Sequence, residues 1–138
     1  GARSEWQLSG NVIPGEPRSA EGEGGKVALP FTIQTDPRGL SYQESDSPTR
    51  KEGQVMRADL TAHITLQTEA GTTVAEAFHT FTHEYDIPIW KAGKEKPLTI
   101  PGQLVAPEGR YRLIVKLRNY RLGRGGQIVG EIDVEVDE

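Results

Sequence analysis

Three histidines, His63, His79 and His83, hold the widest chemical repertoire in a chain that has no cysteine. His79 and His83 have the HxxxH spacing that on a helix sets two imidazoles on one face for zinc. The surrounding FHTFTHEY is β-branched and aromatic, and in a strand four residues span about 13 Å, too far for two ligands of one ion. His63 would lie diagonal to His79 if the segments either side of EAG form a hairpin, but no third ligand is placed by the pattern. The expectation is sheet histidines, with no metal and no cofactor.

RLGRGG, Arg121 to Gly126, sets two arginines among three glycines and invites a phosphate. A phosphate loop follows a strand and opens a helix whose N-terminal amides hold the anion. Here the next segment reads as a strand and the glycines miss the GxGxxG spacing, so the stretch is expected to be a hairpin turn with its arginines at an exposed tip. No GxSxG, HExxH or P-loop occurs, and the serines cluster between 41 and 47, where nothing would position a base. No catalytic residue is expected, and no enzyme.

Arg110, Arg112, Lys116, Arg118, Arg121 and Arg124 form the one basic run. The formal charge of −4, from 16 basic and 20 acidic side chains, opposes a general field for nucleic acid. Aromatic residues are 7% of the chain. Tyr42, Tyr85 and Trp90, with Trp6, are available to a binding surface, and the first three are the expected interaction residues. Exposed aromatics of this kind would serve a carbohydrate, although an aromatic near a strand end is more often a core plug.

The elements that would carry these residues read as β throughout. At 138 residues one domain is expected, burying roughly 70% of its unfolded surface. Hydrophobic residues at 35% and charged residues at 26% fit a soluble globular domain, and no apolar run is long enough for membrane insertion. The chain opens on Gly1-Ala2 without a basic and apolar leader, which reads as an excised piece whose targeting segment has been removed.

Residues 1–13 form a strand-like segment in which Trp6, Leu8 and Gly10 alternate with Gln7 and Ser9, and it either docks on the main domain or stays apart. Residues 14–26, rich in Pro, Gly and Glu, read as a linker or loop, and 27–138 as the domain. VALPFTIQT is a strand whose Pro30 belongs on an edge or at a bulge. Residues 36–54 make a long connection in which GLSYQ offers a short strand. VMRADLTAHITLQT alternates cleanly, with Met56, Ala58, Leu60, Ala62, Ile64 and Leu66 on one face. EAG, with Gly71 left-handed, would turn it into TTVAEAFHTFTHEYDIPIW, where His79, Phe81, His83 and Tyr85 share a partly covered face. Pro88 ends that strand, and KPLTIPGQLV is a shorter one interrupted at Pro101-Gly102.

The last hairpin joins RYRLIVKLRN to QIVGEIDVEV. Pairing Val115 with Ile132 and Leu113 with Val134 puts both apolar sets inside, and sets Lys116 against Glu131 and Arg112 against Glu135 outside.

VALPFTI, ADLTAHITLQTEAGTTV and LTIPGQLVAPEGRYRLIVKLRN, with the turn at Pro107, Gly109 and Tyr111, together resemble the C-terminal β-sandwich of bacterial GWxTD-type exported proteins. They are also similar to sandwich regions near von Willebrand A-related domains in such proteins. The naming pentapeptide does not occur in this chain. The resemblance implies an exported, non-catalytic module, periplasmic or extracellular within a larger chain, with no site residues to transfer.

The resulting expectation is an all-β, immunoglobulin-like antiparallel β-sandwich of about seven strands. Its expected role is a structural or protein-interaction module of a larger exported bacterial protein with an unidentified protein partner and no nucleic acid. The alternative is a carbohydrate-binding β-sandwich module.

Overall fold

A computed structural model describes residues 6–20, 24–49 and 53–134. Its strands are β1 (Trp6–Gln7), β2 (Gly10–Pro14), β3 (Arg18–Ser19), β4 (Lys26–Thr35), β5 (Gln43–Asp46), β6 (Gln54–Gln67) and β7 (Thr73–Tyr85). After the five-residue helix α1 (Ile87–Lys91) come β8 (Leu98–Pro107), β9 (Gly109–Asn119) and β10 (Arg124–Val134). They form an antiparallel β-sandwich, with one parallel pair where β1 meets β10. Six strands are long; β1, β2, β3 and β5 are short edge pieces. These short pieces raise the number above the seven expected: β1 and β2 come from the N-terminal strand-like segment, and β3 and β5 from segments whose composition reads as linker or loop.

The larger sheet runs β1, β10, β9, β6, with β7 along the far edge of β6. Because β7 pairs β6 from Met56 onward, β5 lies on the other edge, beside the start of β6, and β9 takes over that edge from Leu60. The smaller sheet is centred on β4, with β8 on one side and β2 and then β3 on the other. Period-2 alternation decides what lies between the sheets. Leu60, Ala62, Ile64 and Leu66 of β6 are fully buried and face Leu29, Phe31 and Ile33 of β4 across the core.

Segment 10–14 thus docks as an edge strand, pairing with 31–35. Pro30 is not on an edge strand. It sits in the middle of β4, at the gap between β2 and β3, where Gly15 N–H reaches its carbonyl at 2.7 Å. In an antiparallel strand the N and C=O of one residue point the same way, so the missing proline donor faces that gap and no ladder bond is lost. Thr32 shares this orientation, so its partner Pro101 turns its own nitrogen to the open side of β8. β8 therefore runs unbroken through Pro101-Gly102, contrary to the expected interruption, and the missing side chain at Gly102 makes room for the Phe31 ring, 2.6 Å from where a Cβ would stand.

The last hairpin forms with both apolar faces inward, but in a different register from the one expected. Val115 pairs with Ile128, Leu113 with Gly130, Lys116 with Gln127 and Arg112 with Glu131. Glu135 lies outside the described residues. The observed register keeps every side chain on its face, so periodicity cannot separate the two. The turn does: it is Tyr120–Gly123, closed by Leu122 N–H to Asn119 O at 3.2 Å and by left-handed Gly123 at φ +67°. Arg124, Gly125 and Gly126 belong to β10, where a Cβ on Gly125 would meet the Leu117 carbonyl oxygen and stand 2.8 Å from Arg118 Cα. Arg110 and Asp133 complete the outer charge pairing at 2.9 Å.

Candidate functional site

Tyr42, Tyr85 and Trp90 come together although they belong to three separate elements. Asp36 accepts a bond from Arg38 N at 2.9 Å and Pro37 starts a 3-10 turn over Pro37–Leu40. Ser41, left-handed at φ 57°, ends it and turns Tyr42 inward before β5. β7 delivers Tyr85, and α1, with Pro88 in its first turn, delivers Trp90. Ring centroids lie 5.1 Å apart for Tyr42 and Trp90, 5.3 Å for Tyr42 and Tyr85, and 5.5 Å for Tyr85 and Trp90. These are tilted packing contacts of the kind that fill a core corner.

Hydrogen bonds lock the cluster. The Tyr42 hydroxyl meets His83 Nδ1 at 2.8 Å, and the Tyr85 hydroxyl donates to Lys96 O at 2.7 Å. Burial, helped by Tyr85, pushes the Tyr42 phenol above its ordinary range. Burial, then the charges of Glu95 and Asp36, pushes Tyr85 up to about 12, and burial lowers His83 against the opposing charge of Glu84. All three rings are therefore neutral near pH 7. Tyr42 is only 7% exposed, so the cluster is a plug with Tyr85 and Trp90 half-buried at its rim.

Two residues without a sequence signal finish the site. The Arg38 guanidinium lies 3.7 Å above the Trp90 ring and donates to the Trp90 carbonyl and to Glu95. The Arg38 hydrogen bond holds the Glu95 carboxyl below its usual range despite burial. Arg38 and Glu95 form one wall of an open cleft of about 390 Å³, shared with Asn11 and Gln34. Nothing in the spacing of two residues 57 apart foretells this pair.

The histidines do not converge. His63 on the outer face meets Glu76 at 2.9 Å, whereas His79 stands opposite Ala62 on the inner face, so the diagonal approach expected of them does not occur. Among the described residues no three His, Cys, Asp or Glu side chains are grouped to hold a metal ion. The basic run is similarly dispersed: Arg110 meets Asp133, Arg112 faces Glu131, and Lys116 lies between Gln127 and His63. Arg121 is exposed, as expected of a tip residue, yet it reaches the carboxylate of Asp59.

Asp59 lies where β5 has left β6 and β9 has yet to begin. Asp59 is 2% exposed, and its carboxylate accepts from Thr82 at 2.7 Å and from Arg57 at 3.1 and 3.2 Å. Burial alone would raise its pKa; the bonds from Thr82 and Arg57 and the charges of Arg57 and Arg121 outweigh this and lower it.

The remaining feature is the outer edge of β7. Tyr120 N–H donates to Asp59 O at 3.1 Å, so odd-numbered residues of β6 direct their backbone groups to the β9 side and even-numbered ones to β7. Ala62 thus bonds His79 and Leu60 bonds Phe81. The backbone groups of Glu76, Phe78, Thr80 and Thr82 consequently point away from the sheet, and no described strand pairs with them. The side chain of Phe78 beside them is 65% exposed.

No protein-family model matches this chain. No curated protein matches it. Among solved structures the chain is similar to part of a β-glucuronidase from glycoside hydrolase family 2, at 7% identity and a TM-score of 0.49, over 92% of this chain and 11% of that one. No helix among the described residues is long and apolar enough to cross a membrane.

Proposed function

We propose that this chain is a non-catalytic protein-interaction module that takes up an extended strand of a partner along β7. The observation that carries this reading is the row of outward backbone groups at Glu76, Phe78, Thr80 and Thr82, next to exposed Phe78. An extended peptide can satisfy such a row directly, with main-chain bonds for affinity and alternate side chains for selectivity. The resemblance to exported GWxTD-type proteins supports placing the module in a larger exported bacterial protein. An immunoglobulin-like relationship is supported by Tyr111, whose hydroxyl donates to Pro107 O at 2.8 Å, as in the tyrosine corner of such sandwiches.

The carbohydrate alternative draws less support, because its aromatics are occupied. One face of Trp90 lies under Arg38, and Tyr42 is buried. Selecting displayed peptides against the immobilised domain, with a glycan array alongside, separates the two readings. Expected are peptides of alternating apolar and polar residues that shift the amide resonances of Glu76, Phe78, Thr80 and Thr82 and do not bind Thr80→Pro. Glycan binding that is lost in Arg38→Ala, with no peptide mapping to β7, defeats the interaction reading.

A further inference from the structure

The sandwich guards its edges unequally. β8 turns Pro101 to its open side, and β10 has β1 along part of its edge and Val12 of β2 against Gly130. β7 is thirteen residues long, TVAEAFHTFTHEY, with no proline, glycine, lysine or arginine. Natural edge strands commonly use such residues, or bulges and covering loops, to prevent pairing. Here the one irregularity, at Leu66/Gln67, lies near the start of the strand and leaves 76–82 straight. Among the described residues nothing but the charges of Glu76 and Glu84 guards this long edge.

We infer that the strand β7 takes up is the β7 of a second copy of this chain, antiparallel and centred on His79; this rests on the interaction reading above and names its partner. Centring on His79 sets Glu76 opposite Thr82 of the other copy and Phe78 opposite Thr80. All four residues with outward backbone groups then pair with one another, each pair exchanging both N–H···O bonds. On the outer face Phe78 gains the other copy's Thr80 and lies diagonal to its Phe78. On the inner face Ala77 meets half-buried Phe81, a small residue against a large one.

Neighbouring centres fit less well. Centring on Thr80 sets Glu76 against Glu84, like charges directly opposite. Centring on Phe78 puts Thr82 against Val74, which lies where the β6–β7 register shifts. Odd displacements, such as pairing His79 with Phe78, set an inner face against an outer one. Charge and register therefore select the His79 centre, which joins the two larger sheets into one continuous sheet.

The absence of native cysteine makes the test direct. Antiparallel pairing centred on His79 brings the two copies of that residue directly opposite, within disulfide reach, while two copies of residue 80 lie beyond the ~7 Å limit. His79→Cys should form a cross-linked dimer under mild oxidation and Thr80→Cys should not. In analytical ultracentrifugation the parent chain should sediment as a dimer and Thr80→Pro as a monomer that still melts cooperatively, because the lost N–H makes no bond within the chain. A parent chain that stays monomeric from micromolar to millimolar concentration overturns the inference, as does equal cross-linking of the two cysteine variants. If the parent is monomeric and displayed peptides still map to 76–82, only the identity of the partner is wrong. If neither binds, the interaction reading falls with it.

Discussion

Replacing Asp59 by alanine removes the acceptor shared by Thr82, Arg57 and Arg121. Hydrogen bonds to a charged group are worth about 1.5–3 kcal/mol each where solvent is excluded. Arg121 is 67% exposed, so its ion pair contributes at most about 1 kcal/mol, and Thr82 and Arg57 can recover part of their bonding from water. The expected loss is about 2–3 kcal/mol at pH 7, measured by urea denaturation followed through tryptophan fluorescence. The pH dependence is the sharper part. The carboxyl of Asp59 titrates below the ordinary aspartate range in the folded chain. Its contribution is therefore fully present above that range and lost as the pH falls through the lower folded pKa. The gap between parent and Asp59→Ala should narrow across that acid range. A gap below about 0.5 kcal/mol at pH 7, near what an ordinary surface substitution costs, would refute the proposed network. So would a gap that stays constant down to pH 2.

Val115 is fully buried between Ile64 and Ile128, so Val115→Asp should abolish the cooperative melt, whereas Ile114→Asp, on the outer face between Thr65 and Val129, should leave a folded domain by circular dichroism. Gly125→Ala should cost more than about 2 kcal/mol in chemical denaturation, since its Cβ meets the backbone of Leu117 and Arg118 and neither can yield without breaking the ladder. Gly123→Ala should cost only about 1 kcal/mol, from its left-handed conformation. Tyr111→Phe should lose roughly 1–2 kcal/mol with the bond to Pro107 O, and a melting midpoint equal to that of the parent would remove the corner from the account.

By itself the sequence determined which residues face the core, because alternation with period 2 follows from strand geometry whatever the neighbouring strand is. Met56 through Leu66 and Tyr111 through Leu117 could be assigned on that ground, and so could the all-β class. It also determined that RLGRGG contains a turn, since a strand follows it. Tertiary structure decided what alternation leaves degenerate. A shift of the last hairpin that keeps every face unchanged was settled by a turn at Gly123 and by the close approach of Gly125 to β9. Pro30 looked like an edge or bulge residue and Pro101 like a strand break, because a proline's cost depends on which side of the strand its nitrogen faces, and only the neighbouring strands fix that. The aromatic cluster was legible as a set of residue types; its burial, and the Arg38 and Glu95 side chains over it, were not. Arg121 and Asp59 lie far apart in the chain and meet only because β9 ends beside the gap left by β5. The edge that β7 leaves open among the described residues depends likewise on strand order, and the order of strands in a sheet leaves no trace in the local pattern of any one of them.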